Sequence, residues 1–234
     1  MIRWAASLGL ALAAGPSGAA ECRLALALAM DVSASVDAAE DALQRGGLAS
    51  ALISPEVERA FFASPLPVAL AVYEWSGRSD QSILVDWRLI RTRAELHATA
   101  DTIARSPRSQ TESATAMGHA LAFGAQLLQR APVCLFKTID VAGDGANNDG
   151  YEPRSAYAHF PFDDVVVNGL VINGADFEGE LNLIDFYTTE VLRGPGAFLE
   201  VAQGFENYHS AMRRKLEREL SGAVIGGLDG RVPR

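Results

Sequence analysis

The stretch Leu24-Ala25-Leu26-Ala27-Leu28-Ala29-Met30-Asp31-Val32-Ser33-Ala34-Ser35 decides how the rest of this chain reads. Its first part is an unbroken apolar run, the pattern of a strand covered on both faces. The run stops at a carboxylate, and hydroxyls then follow on every second residue. Asp31, Ser33 and Ser35 offer three hard oxygen donors that converge on a small cation if the chain turns sharply there. Such donors suit Mg²⁺ or Mn²⁺, whereas zinc and copper favour His and Cys. The same string also arises in plain loops and helix caps, so its meaning depends on what else reaches the same place.

Outward from that strand, helix and strand signals alternate. A helix is expected over 37–53, capped by Asp37, with Leu43, Leu48 and Leu52 near helical spacing. Ser54-Pro55 ends it and opens a short helix to Phe62. Residues 67–75 read as the next strand, and 82–87 alternate as an edge strand beside it. Helices are expected over 93–104 and 117–130, and buried strands over 133–141 and 165–172. A helix over 181–192 breaks at Arg193-Gly194-Pro195-Gly196, before a last strand over 197–201 and a last helix over 206–220. Strands separated by helices imply right-handed crossovers. The predicted fold class is therefore α/β: a doubly wound, mostly parallel sheet with helices on both faces and one antiparallel edge strand. Ligands of such sheets sit outside the carboxyl ends of the strands, where the winding reverses. The first strand and the strand at 133 deliver Asp31 and Asp144 to that edge.

A chain of 234 residues with 49% hydrophobic and 21% charged residues is expected to form one domain with a sizeable core. Acidic residues outnumber Lys and Arg by 29 to 20, for a net charge of −9, which argues against a nucleic-acid partner. One basic cluster, Arg213, Arg214, Lys215 and Arg218, is interleaved with Glu217 and Glu219 and reads as a solvated helix face. Residues 1–20 read as a secretory signal peptide, with Arg3 before a short apolar stretch and small residues before cleavage after Ala20. That leaves a domain over 21–222 and a C-terminal tail over 223–234. The leader is too short for a membrane span of about 20 residues, and no later segment qualifies. The mature protein is thus expected to be soluble and exported. Export makes Cys22 and Cys134 candidates for a disulfide, two buried free thiols being the alternative. If the two strands that they open are parallel neighbours, the sulfurs lie side by side at the end opposite Asp31 and Asp144. Closing that loop contributes about 4–5 kcal/mol on the chain-entropy model.

Three strand tips then need joint reading: Asp31-x-Ser33-x-Ser35; Thr115-Ala116-Met117-Gly118-His119-Ala120-Leu121 at the start of a helix; and Gly143-Asp144-Gly145 after a strand. On these residues the chain resembles the von Willebrand factor type A domains and the integrin inserted domains. It is closest to a secreted bacterial branch of unassigned function. Glu74-Trp75-Ser76-Gly77, Gly143-Asp144-Gly145-x-Asn147-Asn148 and Gly194-Pro195-Gly196-Ala197-Phe198 look like signatures of that branch. The resemblance implies a metal-ion-dependent adhesion site with Asp31, Ser33, Ser35, Thr115 and Asp144 as ligands of Mg²⁺ or Mn²⁺. It also implies an open coordination position that captures an exposed Asp or Glu carboxylate of another protein. The family loop carries a second threonine where Met117 stands here. Location in the bacterial periplasm or outside the cell follows from the same resemblance.

Each piece also has a plainer reading. Ser33 or Ser35 caps the helix near Asp37, Thr115 caps the helix at Met117, and Asp144-Gly145 with Asn147 and Asn148 forms a turn. Glu74 and Trp75 are either strand-end packing or, with Asn147 and Asn148, a rim around the metal face; Glu112 is a candidate internal pseudo-ligand. His97, His119, His159 and His209 lack ligand spacing, and no nucleophile elbow or phosphate cradle is spelled out. A metal-dependent protein-binding module rather than an enzyme is therefore expected. A metal-dependent hydrolase and a metal-free scaffold are the alternatives.

Overall fold

The computed structural model describes residues 20–109, 113–174 and 177–228. Six strands form one sheet: β1 (Cys22–Asp31), β2 (Val68–Trp75), β3 (Gln81–Ile90), β4 (Cys134–Gly143), β5 (Val165–Ile172) and β6 (Leu199–Ala202). Their order is β3-β2-β1-β4-β5-β6, and every pair is parallel except β2 with β3. The winding therefore reverses between β1 and β4, which places the tips of those two strands at the crevice expected to take ligands.

All ten residues of β1 are buried. Leu24, Leu26, Leu28 and Met30 face one core, shared with α1 (Ala38–Leu52), α2 (Pro55–Phe61), α3 (Arg93–Arg105) and α7 (Tyr208–Leu228). Ala25, Ala27 and Ala29 face the other, where α4 (Met117–Gln129), α5 (Pro153–His159) and α6 (Phe177–Phe186) pack. The alanine face lets α4 approach the sheet closely. A Cβ added at Gly124 of α4 would lie 2.6 Å from the Tyr73 hydroxyl, which donates to the Ala120 carbonyl at 2.9 Å. Cys22 and Cys134 are register partners with Cα atoms 4.5 Å apart, and they form a disulfide at the end of the sheet opposite Asp31.

Several local expectations are corrected. Leu43 of α1 is 43% exposed, while Leu48 and Leu52 are buried; one leucine belongs to the outer face. The helix expected over 181–192 is α6 followed by a π-helical turn, Tyr187–Val191, which turns both Tyr187 and Val191 into the core. The helix α5 carries no sequence signal beyond its opening Pro153, because its single pair of turns is too short for periodicity to show. The last helix runs on to Leu228, so the first part of the expected tail is helical. The basic run is a solvated face except at Lys215: Arg214 and Arg218 are exposed, but Lys215 is fully buried against Asp140, and Glu219 is buried beside it.

Candidate metal centre

Asp31 is the last residue of β1 and, by the alternation of the strand, shares the face of Ala27 and Ala29. Its register partner on β2 is Trp75, and Gly143 stands next to it on β4, one step beyond the pair Met30–Ala142. Gly143 has to lack a side chain. A Cβ there would lie 2.7 Å from Asp31 Oδ2 and 2.7 Å from the Tyr187 hydroxyl. The space that glycine leaves is where the carboxylate sits.

Asp31 has no exposed surface. Its Oδ1 accepts the Ser33 amide at 2.8 Å, and its Oδ2 is buried without a partner. Burial above all, and then the charge of Asp144, pushes the Asp31 carboxyl up from 3.8 to about 7. Asp144 is raised too, by burial first, against a hydrogen bond from Ser35. The hydroxyls of Ser33 and Ser35 are 3.0 Å apart, and Ser35 Oγ donates to Asp144 Oδ1 at 2.7 Å. Two hydrogen bonds thus span the gap from Ser33 to Asp144. Neither serine caps α1, because Asp37 does so in a capping box with Glu40.

Thr115 completes the group. It is 3% exposed, and its hydroxyl lies 3.4 Å from a Cβ built on Gly145, beside Asp144. It does not cap α4, whose N-cap is Ala116 with no side-chain bond. Asn147 and Asn148 take that work from across the site. Asn148 Oδ1 accepts the Thr115 amide at 2.8 Å, and Asn147 Oδ1 accepts the Gly118 amide at 3.3 Å. The Thr115 carbonyl in turn accepts the amides of Asn148 and Asp149 at 2.9 and 3.2 Å. A Cβ at Gly118 would collide with the Tyr151 carbonyl at 2.0 Å, so that glycine lets the loop close over the helix. The two asparagines are positioning residues for Thr115.

The rim reading of Glu74 and Trp75 does not hold. Both are fully buried. Glu74 pairs in register with Met30, so it points to the opposite face from Asp31. There it forms an ion pair with Arg45 and accepts the Ser109 amide at 3.1 Å. Arg45 also binds Asp41 at 2.8 Å and Ser106 Oγ at 2.6 Å. Glu112 lies outside the described residues.

Arg108, which no spacing in the sequence marks, clasps the ligand loop. Its guanidinium donates to the carbonyls of Val36, Val32 and Ser33 at 2.6, 2.9 and 2.8 Å. The Gln44 side chain holds the Asp31 carbonyl at 2.8 Å. Tyr187, the first residue of the π-helical turn, also reaches the site, and burial and the two carboxylates raise its pKa well above the usual value.

Two carboxylates, three hydroxyls and an unpartnered buried carboxylate oxygen fit a small divalent cation. The donors are all oxygens, and like charges held together out of water call for a counter-charge. Among the described residues, no group of three or more His, Cys, Asp and Glu is placed to hold a metal. The donor set here is instead two acids supplemented by hydroxyls.

Sheet order and helix layers form a von Willebrand factor type A-like fold. Residues 21–224 match the family model described as "Protein of unknown function (DUF1194)", and the chain belongs to that family. Among solved structures, the chain is similar to a von Willebrand factor type A protein from Catenulispora acidiphila (TM-score 0.58, 13% identity, covering 88% of this chain and 43% of that one). It is also similar to the mussel byssus proximal thread matrix protein 1 with a zinc-occupied MIDAS motif (TM-score 0.56, 18% identity, 86% and 46%). A third is the pilus adhesin SpaC of Lactobacillus rhamnosus GG (TM-score 0.61, 13% identity, 85% and 31%). At these identities the likeness is one of fold. The chain spans less than half the length of each of the three. No curated protein matches it.

Proposed function

We propose that this protein is an exported binding module that captures another protein through a divalent metal ion, and that it is not an enzyme. The observation that carries this reading is Asp31: a fully buried carboxylate beside a second one, with one oxygen left without a partner. Asp31, Ser33, Ser35, Thr115 and Asp144 would hold Mg²⁺, or Mn²⁺ in its place. Bound there, the ion supplies an electrophilic centre for an Asp or Glu carboxylate of the partner. Two carboxylates roughly balance its charge, and the hydroxyls leave it net attractive to an anion. Asp31 and Ser33 lie inside and Ser35 is exposed, so the site opens to solvent on the Ser35 side. The Ser33 and Ser35 hydroxyls are engaged with one another and with Asp144, inside the donor set that would hold the ion.

Two further observations support the reading. One similar structure bears a zinc-occupied MIDAS motif, and another is a pilus adhesin. The Cys22–Cys134 disulfide and the leader read in residues 1–20 suit an exported protein. No helix among the described residues is long and apolar enough to cross a membrane.

The test is a pull-down from the native envelope fraction, run in Mg²⁺ and in EDTA, with wild type and Asp31→Ala. The expected result is a partner retained by wild type in Mg²⁺ alone. Equal capture in EDTA would overturn the metal-dependent reading.

A further inference from the structure

A cavity of about 410 Å³ opens beside Asp144, at the carboxyl ends of β4, β5 and β6 and against the first turn of α1. Its size falls in the range of small-ligand pockets, about 300–1,000 Å³. Three carboxylates, Glu40, Asp144 and Glu206, line it, over apolar wall from Leu183 and Phe205. No Lys, Arg or His stands among the described residues that line it.

A second, independent feature points to a ligand with hydrogen-bond donors. Asn173 lines the same cavity, is 3% exposed, and its Oδ1 has no partner. Its backbone is pinned on both sides: the amide donates to the Ala202 carbonyl at 2.8 Å, and its carbonyl accepts the Gly204 amide at 2.9 Å. The backbone that carries the side chain is therefore fixed at the cavity wall. Glu206 folds back over Gly204, with Oε2 2.8 Å from where a Cβ would be.

We propose that this cavity takes the Lys or Arg side chain of the protein whose carboxylate docks at the neighbouring metal site, so that the partner's recognition segment presents an acid and a base side by side. The proposal deepens the function given above and rests on it. The apolar wall separates an organic cation from a bare ion: it packs the methylene stem, while the acids and Asn173 Oδ1 meet the charged end. A neutral stem forfeits the acids, and an anion is repelled by them. With Asp144 engaged at the metal, Glu40 and Glu206 remain for the ammonium or guanidinium.

The experiment titrates n-butylguanidinium into the ¹⁵N-labelled mature chain in EDTA, so that no metal takes part, with 1-pentanol and pentanoate as controls. The expected result is shifts of the Asn173, Gly174, Gly204 and Glu206 amides by the guanidinium and by neither control. Glu206→Gln and Glu40→Gln should each weaken it about three- to fivefold, the loss of one partly exposed ion pair. Gln retains the capping acceptor at 40, so α1 stays intact. Equal shifts by 1-pentanol, wild-type binding by both variants, or no shift at these amides would each overturn the proposal. Mg²⁺-dependent partner capture without guanidinium binding would sink the cavity alone. Guanidinium binding with capture that ignores EDTA would instead sink the metal reading, and the pairing with it.

Discussion

The molecule buries carboxylates in several places, and two of these clusters are treated differently. Under β4 and β5, Asp140 and Glu219 are closed off with Lys215, which forms an ion pair with Asp140 and lies 3.8 Å from Glu219. Asn168 adds a hydrogen bond to Glu219 at 3.2 Å. At the tips of β1 and β4, Asp31 and Asp144 meet hydroxyls instead, and the nearby Arg108 guanidinium is turned onto loop carbonyls. The first cluster brings its own cation. The second is built as if the cation comes from outside. The charge of Arg108 offsets these two carboxylates only in part, since both stay raised above the usual carboxylate range, and the remainder costs stability at the winding reversal.

The largest effect expected from this contrast is on stability. Lys215→Met leaves Asp140 and Glu219 uncompensated and should cost about 3–5 kcal/mol in urea unfolding, with no rescue by Mg²⁺. Asp31→Asn should behave in the opposite way. Mn²⁺ binding by calorimetry should vanish, while unfolding in EDTA at pH 8 shows no loss of stability. A tolerated Lys215→Met, or an Asp31→Asn chain that unfolds readily in EDTA, would erase the distinction between the two clusters.

Next in size comes Arg108→Ala. It removes three hydrogen bonds to the ligand loop and should lower Mn²⁺ affinity about 10- to 100-fold, as loss of an outer-shell support does. The smallest effect, per unit, is on pH dependence. Asp31 binds a proton in the metal-free fold up to about pH 7, against 3.8 when unfolded. The contribution of Asp31 to the stability of the metal-free protein is therefore fully present below about pH 4 and is lost as pH rises through about 7. Protons compete with the ion in the reverse sense, so Mn²⁺ affinity should drop by about tenfold per unit as pH falls below 7. Affinity flat from pH 5 to 8 would mean that Asp31 is not among the ligands.

Much of this was legible in the sequence because β1 is unambiguous. An apolar run with no alternation fixes a central strand, and its end then fixes where Asp31 must lie. Asp144 follows from the same logic on β4. Parity along β2 would have separated Trp75 from Glu74, since adjacent residues of a strand face opposite ways; reading both as one rim overlooked it. Lys215 was hidden by composition. It stands between Ala211 and Glu219 at helical spacing on the buried stripe of α7, but a run of basic residues suggested solvent. Arg108 and Tyr187 had no local signal, because each depends on contacts made by distant segments. A loop arginine announces nothing of the carbonyls that it will find, and a π-helical turn shifts the spacing from which burial is read.

The most direct test of the central claim is anomalous diffraction from crystals soaked in Mn²⁺. The account predicts one peak among the oxygens of Ser33, Ser35, Thr115, Asp31 and Asp144, absent from Asp31→Asn crystals. A map with no peak there at saturating Mn²⁺, or with the ion elsewhere, would contradict it.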